Sequence, residues 1–405
     1  MDFSPTTRAL ALCDRVRSFM DTFVCPVELE ALSAEDAEVA SGVPFSRIVS
    51  ELRAQARNKE LFNLFMPEPE YGPGLLHSEY ALLCEMMGRS LLAPTVFNCQ
   101  PPDSGNMEIL ARHGTPEQRD RWLQPLLRGE TRSCFSMTEP GTSGSDPTGL
   151  EAHAELDGDE WVINGRKWFT TGAIGAEVTI AMVVTDPNAP VHRRASMILV
   201  PLDTAGLNVV RSISVMGHAA GPGHCELLYE NCRVPAANML GDRGAGFEIA
   251  QNRLGPGRIH HCMRALGAAE RGLEMMCRRV NARVAFGGPL GEKQFIQDFV
   301  ALSRIEIDAA RHLVLHAAWK MDTDGKAAAR HEISIAKVAA PKVSLDVLDR
   351  AIQVHGALGM TDDTPLAMLW RHARGLRLVD GADEVHKMAI ARRELHKFAP
   401  TADKP

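Results

Sequence analysis

The spacing of apolar residues changes period twice along the 405-residue chain. From residue 6 to 130 apolar positions recur at helical spacing, as in Leu10, Val16 and Phe19 after Ser4-Pro5. PFSRIVSELRAQARNKELFNLF, ended by Pro67 and Pro69, predicts a second helix, and HSEYALLCEMMGRSLLAP, closed by Pro94, a third. NMEILARHGTPEQRDRWLQPLLRGE predicts a helix up to Gly114 and another that opens on a proline and ends near Gly129. From about 150 the pattern shortens to β-like runs: LEAHAEL, EWVINGRKWFTT, EVTIAMVVT, ASMILVPL, LNVVRSI and HCELLYENCRV. Turn residues at Asp157-Gly158, Asn164-Gly165, 187–190 and Ala205-Gly206 separate them. They predict a small, mainly antiparallel β domain with a hairpin at Asn164-Gly165. After Gly241 helical periodicity returns in four long segments, which predict an antiparallel four-helix bundle. The expected class is α+β: an all-α domain over 1–132, a β domain over 133–242 and a helical bundle over 243–405.

Composition narrows the function little. Apolar content of 45% and charged content of 23% are those of an ordinary globular protein. A net charge of −7 argues against nucleic acid as a partner. The nine cysteines lack CxxC spacing, so they read as structural thiols of a reducing compartment and not as a metal site. No apolar run reaches the roughly 20 residues that span a bilayer. The N-terminal stretch lacks an apolar signal region, and the last residues are not a peroxisomal tripeptide. The expected location is cytoplasmic, with no membrane partner. With no βαβ alternation and no GxGxxG, a Rossmann site is not expected.

The chemistry begins at Ser133–Ser145, SCFSMTEPGTSGS, between the helical and β-like regions. Its glycines, proline and short hydroxyl side chains expose backbone N–H and O–H donors to whatever lies against them. Six further motifs follow in order: INGRKWFTTGA at 163–173, CRVPAANMLGDRGAGF at 232–247, LGPGRI at 254–259, RVAFG at 283–287, AIQVHGALG at 351–359 and LVDGADEVHK at 378–387. Together with the element order, they resemble the acyl-CoA dehydrogenase superfamily over essentially the whole chain. NCQPPDSGNMEIL and LGPGRIHHCMRALG are most similar to the branch of family members ten and eleven.

The resemblance implies FAD, held non-covalently by the β domain and the C-terminal bundle. Phe135, Met137, Thr138 and Ser145 match one flavin segment, and Phe169, Thr170 and Thr171 a second. Phe169 stands where the family usually has tryptophan, with Trp168 adjacent. Thr138 and Thr171 are expected to donate to the flavin ring. Arg283, Phe286 and Gln294 match the segment that reaches the FAD of a neighbouring subunit, which implies a homodimer or homotetramer. Gln353 and Gly356 match the adenosine-side loop, where Ala357 replaces a glycine. Asp383 and Glu384, at the start of the last helix, complete the expected cofactor set.

Acyl-CoA desaturation needs a carboxylate to take the α-proton. The family's usual glutamate-glycine is here Asp380-Gly381, so the resemblance makes Asp380 the base. The alternative base position of some subfamilies is Gly257. Ser145, Gly255, Arg258 and Gly381 match the substrate-binding positions. Met216-Gly217-His218 stands where many relatives place methionine-glycine-X-arginine. His260 and His261 are neighbours on a helix and point about 100° apart, so they read as core or surface residues and not as metal ligands. The implied function is α,β-desaturation of an acyl-CoA, with electrons passed to an electron-transferring flavoprotein. An acyl-CoA oxidase or flavin monooxygenase of the same fold, and a non-catalytic flavoprotein, stand as alternatives.

Overall fold

The computed structural model describes residues 4–39, 41–218 and 223–399. The C-terminal tripeptide and the arginine-equivalent position after His218 lie outside them. The first third carries α1 (Thr7–Phe19), α2 (Glu28–Val39), α3 (Arg47–Asn58), α4 (His77–Gly88), α5 (Ala93–Val96) and α6 (Asp103–His113). The short turns α7 (Pro116–Gln118) and α8 (Gln124–Leu127) follow. α1 is capped by the Thr6 hydroxyl, which accepts from Ala9 N–H at 3.1 Å, and not by Ser4. The second helix stops at Asn58, well before Pro67, because Glu60 turns the chain at a φ of 54°. Pro94 lies inside α5 and does not close α4, which ends at Gly88.

The middle of the chain forms β1 (Ser133–Ser136), β2 (His153–Asp157), β3 (Glu160–Thr171), β4 (Val178–Val184), β5 (Ala195–Pro201), β6 (Leu207–Ile213), β7 (His224–Pro235) and β8 (Met239–Leu240). They make one sheet in the order β6-β7-β3-β2-β4-β5-β8, with β1 added against β4. Most pairings are antiparallel, while β1 and β2 each run parallel to β4.

The hairpin expected at Asn164-Gly165 does not form: β3 runs straight through it. The turn that reverses the chain is at 158–159, with Gly158 at a φ of 65°. Gly165 instead marks a register shift against β7. A Cβ there would lie 2.4 Å from the Ala152 Cβ, so close packing and not a turn requires the glycine. Asn164 spends its side chain on the neighbouring strand, where its Oδ1 accepts from Asn231 N–H at 2.8 Å.

The last part contains α9 (Gly246–Ala282), the small hairpin β9 (Val284–Ala285) and β10 (Gly288–Pro289), then α10 (Gln294–Asp324), α11 (Arg330–His355), α12 (Leu366–Leu376) and α13 (Asp383–Lys397). α12 joins the four expected segments as a short fifth helix, begun after Pro365.

By internal packing the chain divides into two units. One comprises residues 1–21, 76–93 and 255–405, and the other residues 22–75 and 94–254. The first has an apolar core of α9, α10, α11 and α12, including Met276, Ile307, Leu348 and Leu369. α4 is fastened into it by charge: Asp322 of α10 accepts from the N–H groups of His77 and Ser78 at 2.8 and 2.9 Å. A carboxylate there satisfies orphan donors of the first turn and suits the positive end of the helix dipole. Arg311 of α10 grips the Glu85 carboxylate in two-pronged fashion, at 3.0 and 2.6 Å. The second unit has its core within the sheet, around Trp161, Ile163, Ile198, Leu227 and Tyr229.

Candidate active site

In the sheet unit, α6 anchors β1. Asp103 accepts from the N–H and hydroxyl of Ser133 at 2.6 and 2.7 Å. Asn106 donates to Ser133 Oγ and to the Cys134 carbonyl at 2.9 and 3.2 Å. Phe135 then lies half-buried, with the Arg253 guanidinium 4.3 Å from its ring centre. The chain beyond β1 docks on β3: the Thr138 carbonyl accepts from Trp168 N–H at 2.9 Å. Lys167 Nζ donates to the Met137 carbonyl at 2.9 Å and to Glu139 at 2.7 Å. The same Glu139 carboxylate accepts from the N–H groups of Glu151 and Ala152 at 2.7 and 3.0 Å, closing the loop between them. Burial pushes the Lys167 ammonium down to about 8, against the pull of Glu139.

β3 carries a bulge between Lys167 and Thr170. Without it, Lys167 and Phe169 would face the same side. With it, Lys167 and Thr170 are both buried, and Phe169, at a φ of 49°, is 43% exposed. A bulky residue in that backbone region is an outlier of the kind that gathers at functional sites. Trp168 meets Phe169 edge to face, with ring centres 5.0 Å apart. Thr170 places its hydroxyl 3.3 Å from Ser136 Oγ, and Thr171 Oγ1 lies 2.8 Å from His224 Nδ1. Phe135, Met137, Thr138, Phe169, Thr170 and Thr171 are thus gathered where β1 meets β3, while Ser145 is exposed on the loop beyond. The motifs did not single out His224. Its burial against β3 depends on the β7 register, and that burial pushes its imidazole down from its usual value.

In the helical unit, Asp380 occupies the loop between α12 and α13, at a φ of 57°. The loop is closed on itself: Arg377 Nε donates to Asp383 Oδ2 at 2.7 Å, and Asp383 N–H to the Arg377 carbonyl at 3.1 Å. Buried Lys337 of α11 donates to the Leu376 carbonyl and caps α12. α9 meets Asp380 at three positions, Gly257, Arg258 and His261. A Cβ on Gly257 would lie 3.6 Å from Asp380 Oδ2. Arg258 Nε donates to the Asp380 carbonyl at 2.8 Å. His261 Nε2 lies 3.3 Å from Oδ2.

The sequence reading missed His261. The signal was present, since a residue four positions after Gly257 shares its helix face. His260 does turn away, edge-on to Tyr80 with ring centres 4.8 Å apart. Gly381, at a φ of 101°, is required twice over, because a Cβ there would lie 2.9 Å from His386 Nε2. Gly255 is buried against Lys326, where a Cβ would come within 2.5 Å of Cε.

The remaining expected residues of this unit do not gather at Asp380. Arg283 and Phe286 project from the β9–β10 hairpin and Gln294 from the start of α10, all exposed. Gln353 and Gly356 are exposed at the end of α11. Asp383 is buried in its pair with Arg377, and Glu384 is exposed beside it.

Comparison with known proteins places this arrangement. The acyl-CoA dehydrogenase N-terminal domain family matches residues 6–130, the middle domain family 134–232 and the C-terminal domain family 244–395. FadE2 of Mycobacterium tuberculosis, which carries an acyl-CoA dehydrogenase name, is 49% identical over 99% of this chain and 98% of its own length. Mouse acyl-CoA dehydrogenase family member 10 is 46% identical over 97% of this chain. The chain spans 37% of that larger protein. A solved structure from Mycobacterium abscessus, assigned to the acyl-CoA dehydrogenases, superposes with a TM-score of 0.93 at 49% identity, covering 98% of this chain and all of its own. The chain belongs to the acyl-CoA dehydrogenase family and is an enzyme of that family.

Proposed function

We propose that the chain is an FAD-dependent dehydrogenase that desaturates the α,β bond of an acyl-CoA thioester, and that its electrons pass to an electron-transferring flavoprotein. The observation that carries the reading is Asp380, whose main-chain carbonyl accepts from Arg258 and whose carboxylate faces His261, in a loop that Arg377, Asp383 and Lys337 brace. A general base must be fixed within reach of one proton, and this bracing fixes it. Asp380 takes the α-proton of the thioester onto its carboxylate.

The residues of the sheet unit fit a flavin. The bulge turns an apolar ring outward, and threonine hydroxyls stand beside it. Phe169 gives the ring system an apolar wall, and Thr138 and Thr171 donate to its polar edge. Bound FAD would supply the acceptor for the β-hydride. Removing one neutral donor near the ring weakens the reduced state by roughly 1 kcal/mol. Thr171→Val is therefore expected to lower the two-electron midpoint potential by about 20 mV, with FAD still bound. A spectroelectrochemical titration that shows no change would remove Thr171 from the flavin contacts.

Arg283, Phe286 and Gln294 serve the FAD of a neighbouring subunit, so the working form is at least a dimer. The support is exposure: Phe286 is 98% exposed at the two-residue turn of the β9–β10 hairpin, where its φ of 51° and the 82° of Gly287 are those that a tight hairpin requires. Arg283→Ala is expected to weaken FAD retention about tenfold through loss of a charged contact, as read by the flavin-to-protein absorbance ratio after dialysis. A FAD-loaded monomer in sedimentation would overturn this part.

The whole reading is tested by anaerobic titration with acyl-CoAs of increasing chain length, watching the flavin absorbance. Bleaching by one range of chain lengths is expected, with slow reoxidation by oxygen and fast reoxidation by an electron-transferring flavoprotein. Fast reoxidation by oxygen would make it an oxidase.

A further inference from the structure

His261 takes no proton in the reaction as described, yet it touches the carboxylate on which that reaction turns. It is buried on α9, with Nε2 3.3 Å from Asp380 Oδ2 and Nδ1 3.5 Å from an Arg264 terminal nitrogen. Arginine has donors and no acceptor, so Nδ1 facing it must be the bare, accepting nitrogen. The ring proton then sits on Nε2 and points at the carboxylate. Resting on the reading of Asp380 as the base, we propose that His261 is its positioning residue: Arg264 holds it as the neutral Nε2–H tautomer, and it donates to Oδ2, keeping the carboxylate ionised and aimed.

The surroundings support a neutral donor and not an imidazolium. Burial pushes His261 below its usual value, and Asp380 opposes this without overcoming it. The other groups facing the pair are known. From α9 come Arg258, His260, Cys262 and Arg264, and from α11 comes Lys337. Asp383 and His386 face it from α13, and His77 faces His260 from α4. Burial holds His260 well below its usual value and takes His386 down to about 4. Neither imidazole therefore carries charge near neutral pH. The fixed cations are the two arginines, with Lys337 lowered by burial. A hydrogen bond to a charged carboxylate favours the ionised form, and its loss lets protonation set in at higher pH.

The division of labour follows from the chain's own shape. Aspartate is one methylene shorter than the family's usual glutamate, and a short carboxylate explores less space but tolerates less misaim. His261, four residues along the helix face from Gly257, faces the same carboxylate oxygen that Gly257 lies against.

The test is the pH dependence of flavin bleaching in the holoenzyme, by stopped flow with a saturating acyl-CoA, for wild type, His261→Leu, His261→Gln and Asp380→Asn. With His261→Leu the acid limb is expected to move up by about one pH unit, so that bleaching on that limb slows about tenfold. His261→Gln keeps an amide N–H near the Nε2 position and is expected to return the limb most of the way. An unmoved limb in His261→Leu, with FAD retained and Asp380→Asn inactive, overturns the positioning role alone. Bleaching that survives in Asp380→Asn overturns the base assignment and the proposal with it. Should His261→Leu fail to fold, ¹⁵N shifts of histidine in the wild-type holoenzyme, assigned with His261→Gln, decide. A protonated Nε2 and bare Nδ1 support the proposal, and the opposite tautomer overturns it.

Discussion

Asp380→Asn is expected to purify yellow, with FAD bound, and to stay yellow when acyl-CoA is added. The rate of bleaching should fall by about three to four orders of magnitude, the upper range of what one general base contributes. The substitution is clean. Asparagine tolerates the left-handed backbone that Asp380 adopts at a φ of 57°, so the loop need not move. Arg258 still donates to the main-chain carbonyl, which the substitution leaves alone. His261 still finds an acceptor in the amide oxygen. What disappears is the capacity to take a proton at working pH. Stopped-flow absorbance checks the expectation, and bleaching within tenfold of wild type would sink the assignment of the base.

The second large effect concerns stability. Lys167 is fully buried and Glu139 nearly so, and the pair closes the loop that follows β1. Replacing one partner of such a pair leaves a buried charge uncompensated, at a cost of about 3–5 kcal/mol. Lys167→Met is therefore expected to lower the stability of the sheet unit by about 3 kcal/mol and to empty the protein of FAD, because Met137 and Thr138 lose their anchor. The double variant Lys167→Met/Glu139→Gln removes both charges. It keeps an oxygen for the N–H groups of Glu151 and Ala152, and should recover part of the loss. Denaturant melts and flavin content check both. A single variant that melts like wild type would show that the loop is held by other means.

Two of the misreadings have separate causes. Asn-Gly favours a turn as a dipeptide, yet β3 passes through Asn164-Gly165 because β7 pairs along it on both sides and Ala152 packs onto the bare glycine. Pro94 stops helices in isolation, but here it opens a short one, where its missing N–H costs nothing. Local propensity was overruled at Asn164-Gly165 by the strand paired beside it, whereas Pro94 acts by the local preference for proline at a helix start. α12 escaped notice because its eleven residues follow a proline and are flanked by polar turns. Its apolar face, Leu366, Leu369, Ala373 and Leu376, is nonetheless in helical register.

The order of helical, β and helical segments, and the place in the chain of the loop that carries the proposed base, were determined by the sequence alone. Both are written in short-range periodicity and short motifs, which need no partner to be read. Tertiary structure alone decided which way the aromatic residue of β3 faces, since a bulge exists only relative to the strand opposite. It also decided that Glu139 and Lys167 share one buried pocket of charge, and that the face of α9 carrying Gly257 and His261 is the one turned to Asp380. Side chains on separate elements acquire an electrostatic relation only when packing brings them within a few ångströms and removes the water between them.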